Sequence, residues 1–507
     1  MPWLPTLDRH TATPLWKQIV DHAVRLADEG NLPSGERLPP SRALAAELGI
    51  NRSTVCRAYE ELAALGYLES RPGSYTTVRG RARPLAARPA AASLLDWNRA
   101  MAPGVLDAYV SATRQPRPVA PADGWIDFST LSADPDLCPV DDFRRAVRSV
   151  LVDQPRSILD YGDSAGYAPL RETLARRMRA HGIAVSPDEV VLTQGAQQAL
   201  DLVIRLFARP SAGVAVESPT YALVLPLLRL HGLRTVEIPL GADGMDLDVL
   251  ESCLERERPA FVYTMPGFQN PTGLTTTQAH RERLLALCET RRVPIVEDGF
   301  EEEMKYFGRA VLPLKSMDAH GIVIYVGTFS KVVFPGLRIG WIAAERECIR
   351  RLLWLSRFTS LSGNLLSQAA VERFCHAGRY DGYLRRVHAT FRRRMTMLLR
   401  SLEKDVGGDR LEWTRPAGGC TLWARVPGGR REDERALVDA AASERVAITP
   451  GSQFFATPPD QLAFRVSIAR VKVHEIEDGC RRLRRALERL PRVRGARCGV
   501  RSAVRGA

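Results

Sequence analysis

Apolar positions recur first at helical spacing and later in short β-branched runs, and this change of period divides the chain. Over Leu15 to Glu29, the residues Leu15, Ile19, Ala23, Leu26 and Ala27 line one face, as in a helix packed on one side. Gly30 ends it, and Pro33-Ser34-Gly35 makes a turn. Ser41 stands where a cap would open a short helix, Arg42 to Leu48, with Gly49 at the left-handed stop. Asn51 caps the next helix, in which Val55, Ala58, Tyr59 and Leu62 recur at i, i+3, i+4 and i+7. Beyond Gly66, Tyr67–Ser70 and Tyr75–Val78 flank Arg71-Pro72-Gly73 and predict a hairpin. Two short helices around a glycine turn, with a third before and a hairpin after, predict a winged helix-turn-helix over residues 12–78, α+β but mostly helical.

From residue 79 to 122 the chain is dense in Ala, Pro and Arg and reads as a linker, with Leu94 to Tyr109 able to form a short helix. From 123 to 490, β-branched runs alternate with amphipathic segments, the pattern of an α/β domain with a mainly parallel sheet. The predicted strands are Val190–Thr193, Val214–Glu217, Phe261–Thr264, Val293–Glu297 and Ile322–Val326. Residues 491–507 read as a disordered basic tail.

Composition changes the picture little. The net charge of +13 permits a nucleic-acid partner, but Arg481 to Ala507 holds ten Arg against one Glu, about +9 of that excess. Nine cysteines without a CxxC pair or zinc spacing predict reduced thiols in a cytoplasm and no metal site. No apolar stretch is long enough to span a bilayer, and Met1-Pro2-Trp3-Leu4-Pro5 lacks the pattern of a signal peptide.

The chemistry lies at helix starts and strand ends. Arg52, Ser53 and Thr54 open the second helix of the helix-turn-helix, where polar groups reach base edges and phosphates, and Arg57 lies one turn on. In the α/β part, ligands bind beyond the carboxyl ends of strands. Gly195, Ala196 and Gln197 turn from a strand into a helix and offer N–H groups to a dianion. Tyr221 can stack on a heteroaromatic ring, and Asn270 offers an amide donor. Asp298 can hold a pyridine nitrogen protonated. Lys331, just past a strand, can form a Schiff base, and Arg338 suits a phosphate. Taken singly, each has a plainer role: Lys331 a surface lysine, Asp298 a helix cap, Tyr221 core packing. Their joint order along the chain favours a cofactor.

Two resemblances follow. Pro39-Pro40-Ser41-Arg42-Ala43-Leu44-Ala45, Asn51-Arg52-Ser53-Thr54-Val55 and Ala58-Tyr59-Glu60-Glu61-Leu62, closing on Gly66-Tyr67-Leu68, resemble the GntR-type winged helix. That likeness implies that Arg42, Arg52, Ser53, Thr54 and the wing's Gly73 approach double-stranded DNA at a promoter, with Ser41 and Arg57 beside them. Pro72-Gly73-Ser74-Tyr75 departs from the family's wing tip in lacking a second glycine. The plainer reading of this end is a three-helix dimerisation bundle.

Asn270-Pro271-Thr272-Gly273, Glu297-Asp298, and Thr328-Phe329-Ser330-Lys331 followed by Arg338 resemble fold-type-I pyridoxal-phosphate enzymes of the class I/II aminotransferase group over residues 125–490. The likeness implies pyridoxal 5'-phosphate held as an internal aldimine on Lys331, with Asp298 on the pyridine nitrogen, Asn270 on the ring oxygen and Tyr221 stacked. Gly195, Ala196, Gln197, Thr328, Ser330 and Arg338 would hold the phosphate. Tyr161 would reach the phosphate of a neighbouring subunit, and Arg465 would grip an effector's α-carboxylate. Where relatives place a tyrosine just after the aspartate, this chain has Gly299-Phe300-Glu301, so Asn270 would bond the ring oxygen alone.

The two halves together resemble the MocR/GabR subfamily of regulators. That resemblance implies a homodimeric transcription regulator in which an amine or amino-acid effector displaces Lys331 from the aldimine. The rival readings are a working aminotransferase with an accessory N-terminal domain, and a structural DNA-binding protein with an inactive second domain.

Overall fold

A computed structural model describes residues 4–490 apart from 12, 71–74, 80–95, 107–109, 111–123, 210, 301–302 and 309–310. The described chain forms two compact units, Met1–Ala100 and Met101–Ala507.

In the first unit the apolar periodicity becomes three helices, α1 (Leu15–Asp28), α2 (Ser41–Leu48) and α3 (Arg52–Ala64). A hairpin of β1 (Leu68–Ser70) and β2 (Thr76–Val78) follows, antiparallel with Leu68 opposite Val78. Ile19, Leu44, Val55, Ala58 and Leu62 are fully buried between the helices. Gly49 ends α2 in the left-handed conformation, φ 62°, which costs a glycine nothing. Asn51 caps α3, its side chain accepting the Ser53 N–H at 3.0 Å. The Ser41 cap is a correction: Pro40 holds the cap position and α2 begins at Ser41 itself. Pro40 pre-sets an extended entry, so no side chain is needed to start the turn. The Ser41 hydroxyl instead accepts from Arg52 Nε at 3.3 Å. The wing tip with Gly73 lies outside the described residues. Of the helix foreseen over Leu94 to Tyr109, the described residues form the short helix Trp97–Ala100 and, after a break, a helical turn over 103–106.

The second unit holds a mainly parallel eight-stranded sheet. Its strands are β4 (Val190–Thr193), β5 (Gly213–Ser218), β6 (Arg234–Gly241), β7 (Gly244–Met245), β8 (Val262–Thr264), β9 (Ile295–Asp298), β10 (Val323–Thr328) and β11 (Gly340–Ala343), ordered β4-β11-β10-β9-β8-β5-β6-β7. The run β10-β9-β8-β5-β6 is parallel, while β11 is antiparallel to both its neighbours and β7 to β6. Its central strands are buried on both faces, which explains their continuous apolar runs.

A four-stranded antiparallel sheet lies toward the C-terminus, ordered β12 (Glu412–Trp413), β13 (Thr421–Arg425), β16 (Ala463–Ser467), β15 (Thr449–Pro450). A separate pair joins β3 (Ile126–Asp127) to β14 (Val446–Ala447) in parallel. The long helix Arg379–Ser401 and the helix Val473–Glu488 close the C-terminal part. No described helix is long and apolar enough to cross a membrane.

Candidate functional site

In the first unit, α2 and α3 present a polar, charged edge. Arg42, Arg52 and Ser53 are exposed, and Thr54 is half-buried. The bond from Arg52 to Ser41 ties the start of α3 to the start of α2. Arg57 is exposed, and its guanidinium lies over the Trp16 ring at 4.4 Å, a cation–π contact that fixes it against α1.

In the second unit, β4, β5, β8, β9 and β10 end on one side of the large sheet, and their following residues converge on one pocket. It is lined by Ala196, Gln197, Tyr221, Met265, Asn270, Asp298, Phe300, Thr328, Ser330, Lys331 and Arg338. Nine of these are residues that the sequence singles out. Met265 is not among them, and Phe300 enters the sequence reading only as a departure. Gly195 stands at the lip, where φ is 85° and an added Cβ would lie 2.9 Å from Arg338 Nη2. The positive φ favours glycine there, and the guanidinium packs close against it. Behind it begins the helix Ala196–Phe207, whose first N–H groups have no intrahelical partner. The Arg338 guanidinium donates to Gln194 O at 2.7 Å, so the cation stands at that helix start.

Two buried polar atoms of the pocket lack partners among the described residues: Asp298 Oδ1 and Ser330 Oγ. The other carboxylate oxygen of Asp298 accepts from the Tyr263 hydroxyl at 2.8 Å. Burial raises the Asp298 carboxyl to about 6, against the lowering effect of the Tyr263 bond, the Phe300 N–H and the Lys331 charge. Tyr263 is fully buried, and its side chain reads from the sequence only as strand core. The same burial pushes the Tyr221 hydroxyl well up, so it stays protonated; it donates to Gln197 Oε1 at 3.3 Å.

The segment after β3 passes over the pocket. Lys331 Nζ donates to Leu131 O at 2.6 Å. Arg465, in β16, donates to Ser129 O at 2.9 Å and to Asn270 Oδ1 at 3.0 Å. That contact takes the carbonyl end of the Asn270 amide and leaves its NH2 as the donor for the pocket. Arg465 is therefore linked to the pocket through Asn270, although 195 residues separate them. Tyr161 does not join the group: it is 79% exposed and lines no part of its own chain's pocket.

Comparisons agree with this division. Residues 127–483 match the aminotransferase class I and II family, and residues 15–78 match the gntR family of bacterial regulatory proteins. The aromatic-amino-acid aminotransferase 1 of Thermococcus litoralis is 34% identical over 77% of this chain and 95% of its own length. A probable rhizopine catabolism regulatory protein of Rhizobium meliloti, MocR, is 30% identical over 95% of both chains. Among solved structures, the α-aminoadipate aminotransferase of Thermus thermophilus, complexed with N-(5'-phosphopyridoxyl)-L-leucine, superposes with a TM-score of 0.70. It is 33% identical and covers 78% of this chain and 98% of its own.

Proposed function

The chain belongs to the aminotransferase class I and II family, with a gntR-type DNA-binding domain joined ahead of it in the MocR arrangement, and from that premise we propose a transcription regulator that senses an amine or amino acid at Lys331. The family's cofactor is pyridoxal 5'-phosphate, and the pocket residues fit it on two counts. The unpartnered Asp298 Oδ1 suits a protonated ring nitrogen, and the unpartnered Ser330 hydroxyl, beside the helix start at Gly195 and the Arg338 guanidinium, suits a phosphate. Bound there, the cofactor supplies an aldehyde carbon that condenses reversibly with amines, and a cationic ring that draws electrons.

The chain's own residues supply the rest. Lys331 would hold the cofactor by its aldehyde carbon, the atom for which an amine competes. Tyr221 would stack on the ring, and Asn270 would offer its NH2 to the ring oxygen. Gly195, Ala196, Gln197, Thr328, Ser330 and Arg338 would hold the phosphate. Arg465, fixed by Asn270 and Ser129 O, takes an incoming carboxylate by a two-pronged hydrogen bond. Lys331 and Arg465 are two of the side chains that bond the segment over the pocket, beside Thr449 and Ser467, and an effector that engaged both would gain leverage on that segment. Such leverage changes DNA affinity only through different contacts in two states.

On the DNA side, Ser41, Arg42, Arg52, Ser53, Thr54, Arg57 and Gly73 form the contact set for double-stranded DNA. The protein acts as a homodimer in the cytoplasm: Tyr161 extends from one chain to the other's phosphate. Exposed Trp354 and Phe358, whose rings meet edge to face at 4.8 Å, supply apolar surface for the contact.

The observation that carries this reading is the unpartnered Asp298 oxygen buried beside Lys331. Its test is a visible-absorbance screen of purified protein with pyridoxal phosphate and a panel of amines, paired with DNA binding to its own upstream region. An absorbance change and a salt-dependent change in DNA affinity with the same amine are expected. DNA affinity indifferent to cofactor and to every amine would remove the sensing step. Likeness to the Thermococcus litoralis aminotransferase favours one rival, a working enzyme. Multiple-turnover release of a keto acid would establish it.

A further inference from the structure

Tyr263 carries a buried hydroxyl and has no role in the reading above. The strand register gives it one. β8 runs parallel to β9, with Tyr263 opposite Val296 and Thr264 opposite Glu297. Successive side chains alternate across a strand, so Tyr263 shares the face of Val296 and Asp298. Thr264 turns to the other face, where its hydroxyl, the Met265 N–H and Gln269 Nε2 all donate to the buried carboxylate of Glu217. Tyr263 is fully buried, and its hydroxyl donates to Asp298 Oδ2 at 2.8 Å. Asp298 Oδ1 is buried without a hydrogen-bond partner among the described residues.

The last torsion of an aspartate side chain is loosely set. A donor on one oxygen fixes the plane of the carboxylate and leaves the other oxygen for the pocket, which Asp298 lines. The same bond favours the ionised form and so opposes the burial that raises the Asp298 carboxyl to about 6. Tyr263 itself keeps its proton, because burial and then the Asp298 charge push its hydroxyl far above the usual tyrosine range.

We propose that Tyr263 is a positioning residue for the cofactor's ring: by holding one oxygen of Asp298 it orients the carboxylate and keeps the other oxygen, charged, for the protonated ring nitrogen. The inference rests on the cofactor reading above. Tyr263 is not among the residues that line the pocket, so it acts through Asp298.

The test compares two probes on the full-length protein: pyridoxal phosphate and its deaza analogue, in which carbon replaces the ring nitrogen. Only the first has a nitrogen for Asp298 to hold. Tyr263→Phe keeps the aromatic ring and removes the hydroxyl. Its affinity for pyridoxal phosphate, read by absorbance, is expected to fall about tenfold, the scale of one hydrogen bond to a charged group. Its affinity for the deaza analogue is expected to hold or rise. A merely structural role would weaken both alike, so equal losses, or no loss on pyridoxal phosphate, overturn the proposal. If Tyr263→Phe does not fold, the double variant with Asp298→Asn carries the test, since it leaves no buried charge short of a donor. Against Asp298→Asn alone, its affinity for pyridoxal phosphate is expected to be unchanged; a further loss of about tenfold would show that Tyr263 acts elsewhere and overturn the proposal. Wild-type protein that takes up neither probe overturns the cofactor reading itself, a different and separately visible failure.

Discussion

Asp298 shows at the scale of one residue how a buried carboxyl costs the fold that holds it. Its carboxyl is ordinarily near 3.8 and stands at about 6 in the folded chain, with burial the largest cause. A folded value above the unfolded one means that the group's contribution is fully present below about pH 4. It is lost as pH rises through 6, a difference worth about 3 kcal/mol. Asp298→Asn stays neutral throughout. In thermal melts without added pyridoxal phosphate, the variant is expected to be more stable than wild type at pH 7.5 and equal to it below about pH 4. Its affinity for pyridoxal phosphate, read by absorbance, is expected to fall at least tenfold, roughly the loss of one charge-assisted hydrogen bond. A variant that melts like wild type at both pH values would show that Asp298 bears no burial strain. Most pocket residues are legible at this scale because strand ends with the right chemistry recur in order. Tyr263 and Met265 are not, since a tyrosine or methionine in an apolar run reads as core.

Among the elements, α3 and its cap are the most explicit in the sequence. Asn51 reads as a cap, and its carbonyl oxygen meets the Ser53 N–H. Removing it leaves a helix-end donor without that partner. Asn51→Ala is expected to cost about 1 kcal/mol and to speed amide exchange in α2 and α3, measured by hydrogen exchange on the full chain. Asn51→Asp is expected to keep wild-type rates, because its carboxylate accepts the same N–H. Exchange unchanged in the alanine variant would mean that α3 gains nothing from its cap. Ser41 shows where such reasoning stops. Serine before an apolar run satisfies the cap pattern, but the preceding Pro40 already sets the backbone entry. The hydroxyl then goes to Arg52, eleven residues away, a partner that no local pattern names.

For the whole molecule, a chain with exposed aromatics invites an oligomeric reading. Tyr161, Trp354 and Phe358 are 79, 65 and 70% exposed, large apolar areas to leave in water. If these faces close a homodimer, Trp354→Glu places a charge there. It is expected to shift the protein toward monomer in analytical ultracentrifugation. It should also weaken pyridoxal-phosphate binding, because Tyr161 of a second chain is then lost. Monomer with full cofactor affinity would separate the pocket from the dimer and leave Tyr161 without a role.

Local order alone determined a good deal. Helical and β periods, glycine stops, the Asn51 cap and the serial placement of Gly195, Tyr221, Asn270, Asp298, Lys331 and Arg338 gave two domains and the outline of one pocket, because each depends on near neighbours in the chain. Only tertiary structure decided that Tyr263 braces Asp298, that Arg465 reaches Asn270, and that Leu131 and Ser129 lie over the pocket. It also gathered three donors on Glu217. These contacts join strands and segments distant in sequence, and the field at a buried carboxyl depends on everything packed around it.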